Sequence, residues 1–210
     1  MHQAPTSKFV RSLKAKLKIS FFEGVRGVKT NTGRYPLMCA ILPLMLYAEN
    51  HFVSPTQGVL NFETVVQEIS AFMESEHGRS YKLIVGTDSR ASTGSAQFVS
   101  VIIIHRIGTC ARYFWTKGEA AHMASLRQRI YQEATLSLGL AQRLTQGVGE
   151  VLNGYLTDGT CQLEVHVDIG HFGPTRDMIR EIVGMILGNG FTVKIKPESY
   201  AASSVADRHV

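Results

Sequence analysis

Cysteine is scarce in this chain and irregularly placed. Cys39, Cys110 and Cys161 are far apart and odd in number. This excludes a disulfide framework and a CxxC metal motif, and it suits a reducing, cytoplasmic compartment. Long hydrophobic runs are missing too. The longest, Tyr35 to Ala48 ("YPLMCAILPLMLYA"), is broken by prolines and falls short of the ~20 residues needed to span a membrane. It also stands too far along the chain for an export leader. No internal repeat occurs. The absence of a P-loop and of a Rossmann glycine pattern argues against the nucleotide-binding enzymes built on those turns.

A one-signed charge surface is lacking as well, although the formal net charge is +5. Residues 1–50 hold eight Lys and Arg against two acids, whereas residues 51–210 hold fourteen against fifteen. The basic balance therefore belongs to the N-terminal quarter, and charge alone is poor support for a nucleic-acid surface on the remainder. Residues 1–50 are read as a basic N-terminal extension, either unstructured or ahead of a true start at Met38 or Met45. Residues 51–210 are read as one domain, long enough for a full core.

In that domain the apolar positions Phe62, Val65, Val66, Ile69, Phe72 and Met73 recur at helical spacing behind Asn61, a good N-cap. "YKLIVGTDS", "QFVSVIIIHRIG" and "CARYFWTKG" read as three strands joined by short turns, hence an antiparallel meander. A long helix is expected from about Ser125 to Leu152. The strand "CQLEVHVDIG", the helix in "GPTRDMIREIVGMILGNG", the strand "FTVKIKP" and a short final helix complete the chain. Helix-separated strands run parallel through crossovers. The expected fold is α/β: a mixed five-stranded sheet, three antiparallel strands then two parallel, with helices on both faces. That is the RNase H-like order of elements.

Four acids stand out against this frame. Asp88 ends the first strand and Asp168 the fourth. Glu133 shares the apolar side of the long helix with Ile130 and Ala134, and Asp207 lies in the final helix. Converging carboxylates repel one another unless cations sit between them. Mg2+ or Mn2+, which favour oxygen ligands, suit such a cluster, and two such ions can activate water and steady a leaving oxygen of a phosphodiester. Gly86 and Gly170, beside the acids, are expected to let backbone and phosphate come close. His166, Asp168 and His171 hint at zinc, but no cysteine is spaced to help.

"LIVGTDSR", "HVDIGHFGPTRDMIREIVGMILGNGF" and "VKIKPESYAASSVADRH" resemble the YkuK-type family of predicted RNase H-like nucleases. The likeness covers roughly residues 51–210. It implies an RNase H-like fold and a nuclease acting on RNA, DNA or a hybrid. By similarity to such enzymes, Asp88, Glu133, Asp168 and Asp207 are the catalytic and metal-binding residues. The resemblance carries no particular substrate.

Each feature also has a plainer reading. Asp88 alone is an ordinary strand-end cap, Glu133 can reach solvent past a narrow stripe, and Asp207 can pair with Arg208 or Lys196. "KIKPESY" is either a phosphate-contacting edge with a stacking Tyr200 or the solvated face of an edge strand, the latter slightly favoured. Arg127 and Arg129 suit an ordinary charged surface, and Phe114 and Trp115 a core or subunit contact. The competing function is a non-catalytic nucleic-acid-binding or regulatory module on the same fold. A third, an actin-like phosphotransferase suggested by "GTDS" and "DIG", needs a second domain for which the chain is too short.

Overall fold

The computed structural model describes residues 51–93, 95–121, 123, 125–148, 154–155 and 158–210. The expectations for residues 1–50, and for the long helix beyond residue 148, lie outside the described residues.

The chain enters through a hairpin, β1 (Phe52–Ser54) and β2 (Gly58–Leu60), followed by helix α1 (Phe62–Glu74). Strands β3 (Tyr81–Ser92), β4 (Ser95–Arg106) and β5 (Ala111–Ala121) form the expected meander. Helix α2 (Leu126–Gly147), strand β6 (Cys161–His166), helix α3 (Ile179–Gly188) and strand β7 (Thr192–Lys194) follow. A π-type turn at Ala201–Ala206 and a 3-10 turn at Asp207–His209 close the chain.

The sheet has seven strands in the order β2-β1-β5-β4-β3-β6-β7. The five expected from sequence are contiguous within it. β3 to β5 are antiparallel, while β6 and β7 are parallel continuations beside β3. The two extra strands are the hairpin, which joins β5 at Val53↔Trp115. Each has only three residues, too few to show alternation, so the segment reads as a turn from sequence alone.

Local signals account for the helices. Asn61 caps α1 by accepting the Thr64 N–H at 2.8 Å. Ser125 and Gln128 make a reciprocal capping box at α2. One sheet face, through Leu83, Val85, Ile102, Leu163 and Val165, packs on α1, α2 and α3. The opposite face, through Ile84, Val99, Val101 and Ile103, packs on Ala201 and Ala206 of the C-terminal segment. Helical structure thus covers both faces, and β4 is buried on both sides from Phe98 to Ile104.

The C-terminal segment lies unusually close to β3. A Cβ on Gly86 would stand 2.7 Å from the Ala202 backbone nitrogen and 3.0 Å from the Ala201 carbonyl carbon. Ala201, Ala202 and Ala206 are fully buried. Gly86 is therefore spaced for the protein's own backbone, not for a phosphate as expected. Gly170 is likewise filled by the Lys196 side chain. Replacing Gly86 with Ala forces a methyl against backbone that cannot rotate away, a destabilisation of roughly 1–3 kcal/mol. A lowered urea midpoint at unchanged slope is the expected result; an unchanged midpoint would refute this packing.

Candidate active site

β3 and β6 pair in parallel with one constant register, from Tyr81↔Cys161 to Gly86↔His166. Two residues further along both strands stand Asp88 and Asp168. The same alternation brings both acids to the face that carries the C-terminal segment. Each is half-buried. The Asp88 carboxyl is pushed up to about 6, first by burial and then by the charges of Asp168 and Asp207, against a lowering hydrogen bond from the Ser89 backbone and the charge of Lys196.

Glu133 arrives from the other face, on α2. The docking is a match of spacings. Positions i and i+4 of a helix are ~6 Å apart along its axis, and positions i and i+2 of a strand ~6.6 Å apart. Ser137 donates to Thr87 Oγ1 at 2.9 Å, and four residues earlier Glu133 Oε1 accepts from Ser89 Oγ at 2.6 Å. Thr87 is tied in turn to Ser100 of β4 at 2.7 Å. These hydroxyls on either side of Asp88 seat the helix on the sheet.

Glu133 is only 3 % exposed, and its second oxygen, Oε2, has no hydrogen-bond partner. Burial, chiefly, with help from Asp88 and Asp168, pushes its carboxyl up to about 8, despite the Ser89 hydrogen bond and the charge of Arg129. Arg129 donates to the Ser89 carbonyl and to Ser89 Oγ, both at 3.3 Å, and so orients the hydroxyl that holds Glu133.

Asp207 is exposed, at the end of the π-type turn, where its N–H donates to the Ala202 carbonyl. His166 anchors the start of that turn. Its fully buried ring accepts the Ala201 N–H at Nδ1 (3.3 Å), so Nε2 carries the proton toward Glu164 Oε2 at 3.2 Å. Glu164 is also bound by Lys82 at 3.2 Å. Burial lowers the His166 pKa, which keeps the ring a neutral acceptor. This histidine is structural and faces away from a zinc role. At the far end of the segment His209 stacks on Trp115, ring centroids 4.6 Å apart.

Asp88 does not end its strand as expected, because β3 continues to Ser92 against β4. Asp88, Glu133 and Asp168 lie within reach of one another's charge where the β3–β6 pairing stops, and Asp207 acts on Asp88. They come from two faces of the sheet and do not close on a common point: among the described residues no three acidic or histidine groups stand ready to ligate one ion. One cation is already in place. Lys196 Nζ lies 3.0 Å from Asp168 Oδ1, at angles that make an ion pair but no hydrogen bond. Sequence reasoning offered Lys196 as a partner for Asp207; its partner is Asp168. Ser89, Thr87, Ser137 and Arg129 were not singled out for this site. The hydroxyls flanking Asp88 and the four-residue spacing of Glu133 and Ser137 were the available signal. Tyr200 packs edge-on against His166 at 4.9 Å rather than standing free for a base. A concavity of about 290 Å³ lined by His77, Tyr155, Asp158 and Thr160 lies at the opposite end of β3 and β6.

The Ribonuclease H-like family model matches residues 64–210. The "Uncharacterized protein YkuK" of Bacillus subtilis (strain 168) is 32% identical over 168 residues, which span 75% of this chain and 95% of that protein. No solved structure matches. Family match, strand order and relative agree: the chain belongs to the YkuK-type, ribonuclease H-like family.

Proposed function

We propose that this protein is a metal-dependent nuclease that hydrolyses phosphodiester bonds of RNA, DNA or a hybrid, with Asp88, Glu133, Asp168 and Asp207 as its catalytic carboxylates. The observation that carries this is Glu133 Oε2, a nearly inaccessible carboxylate oxygen left without a partner beside two further acids. A fold retains such a group at a cost unless something cationic compensates it.

Oxygen donors alone, in a repelling set, fit Mg2+ or Mn2+ and not a thiolate- or imidazole-loving metal. The four acids would hold it. When bound, such an ion supplies Lewis-acid charge at a phosphodiester oxygen and makes water a better nucleophile. The chain's own part is placement. Asp88 and Asp168 are fixed by the strand register, and Glu133 by Ser89 and the Thr87–Ser137 contact. Asp207 is brought in by the segment that His166 anchors. Without an ion, Glu133 keeps a proton at neutral pH.

A second reading, a nucleic-acid-binding or regulatory module without turnover, is favoured by the near-neutral balance of residues 51–210, since strong phosphate binding usually comes with many Lys and Arg. Asp88→Asn separates the two. For a nuclease the variant loses at least about a hundredfold in rate on a panel of single- and double-stranded substrates with Mn2+. Its metal-free form melts higher than the parent, because a repelled charge is gone. Absence of cleavage by the parent protein across that panel would sink the nuclease reading and leave the binding module.

The raised carboxyls also fix a pH dependence. Glu133 moves from 4.5 to about 8 and Asp88 from 3.8 to about 6, so the folded state holds protons that the unfolded chain has released. Stability therefore falls as pH rises from about 4 through 8, by on the order of a few kcal/mol. Melting temperatures of metal-free protein should drop across this window, and magnesium should restore most of the loss at the alkaline end. Glu133→Gln should flatten the profile; an equally steep profile in that variant would overturn the assignment.

A further inference from the structure

We propose that Lys196 is a built-in cation of this centre. Its ammonium takes the place of one of the two divalent ions that four converging carboxylates otherwise invite, so that each chain takes up a single ion. The inference rests on the reading of these acids as a metal site and adds the number of ions and the residue that sets it.

Lys196 is half exposed, yet its backbone and stem are held in place. Its backbone N–H donates to the Ile169 carbonyl at 2.8 Å, one residue beyond Asp168. Its stem runs along Gly170: a Cβ built there would stand 3.1 Å from Lys196 Cβ and 3.6 Å from Cδ. Any side chain at position 170 would crowd that stem, so the glycine is the track on which the lysine lies. The ammonium ends 3.0 Å from Asp168 Oδ1.

Charge balance favours one ion beside this lysine. Two divalent ions already neutralise four carboxylates, and a fixed ammonium among them is repelled without an anion to offset it. With one ion, the ammonium supplies part of the missing positive charge. An ammonium is a compact point charge with three donors and suits a phosphate oxygen. Asp168 is then the acid that Lys196 engages directly.

Native mass spectrometry and calorimetric titration of the full-length chain with Mn2+ count the ions directly, without reference to turnover. One ion per chain is expected for the parent protein. Lys196→Met, which keeps the stem and removes the charge, should take up a second ion or bind the first at least tenfold more tightly. Lys196→Arg should stay at one. The side chain is half exposed (52%), so these variants are expected to fold, and Lys196→Gln repeats the test with a polar stem. Two ions on the parent, or an unchanged count and affinity in both neutral variants, would overturn the lysine assignment while leaving the metal site intact. No binding by the parent or by either neutral variant would overturn the metal site and this inference with it.

Discussion

Carboxylate repulsion at the end of a parallel strand pair is the constraint that the rest of this structure answers. β3 and β6 keep a single register from their first residue, and each carries an acid two residues past the last paired position. Alternation then turns both acids to one face. Nothing local can separate them, since a shift of one residue would turn an entire strand inside out. The protein instead surrounds the pair with groups that manage charge: Lys196 on Asp168, the Ser89 backbone and hydroxyl near Asp88 and Glu133, and Arg129 behind Ser89.

Glu133 shows how far that management goes. A helix could present this acid to water by a small rotation. The rotation is blocked by the Thr87, Ser100 and Ser137 hydroxyls, which lock α2 one turn away. A fully satisfied polar cluster thus holds an unsatisfied one in place. Stability and the proposed chemistry pull in opposite directions here, the usual condition of a site whose charge awaits a partner.

The parts legible in the sequence were those with long periods or strong punctuation. The meander β3 to β5, the helix α1 behind Asn61 and the parallel strand β6 each occupy enough residues for a pattern to repeat. Asp88, Glu133 and Asp168 were visible because each breaks its pattern: acids at the end of apolar runs or on an apolar stripe. The hairpin of β1 and β2 was too short to show a period. The partners of the acids were hidden for another reason. Lys196 reaches Asp168 from just past the end of the neighbouring parallel strand β7, and Ser89 reaches Glu133 across 44 positions, so neither contact leaves a local trace. The glycines were visible but their occupants were not, and the chain itself fills the space that an approaching phosphate was expected to take.

The space beside Gly86 also governs how the proposed centre is completed. Asp207 reaches it only if the final residues lie flat on β3, and three features permit this: no Cβ at Gly86, alanines at positions 201, 202 and 206, and a neutral ring at His166 to take the Ala201 N–H. The His166 ring belongs to β6, the strand that also leads to Asp168, and Gly86 belongs to β3, which leads to Asp88. The same two strands therefore supply both the acids, just past the point where their pairing stops, and the bed for the segment that carries Asp207. Since that bed is apolar and tightly fitted, the segment docks by packing while its acid stays exposed at the rim. Placement of the Asp207 carboxylate is thus inherited from the core and from the backbone of its own turn.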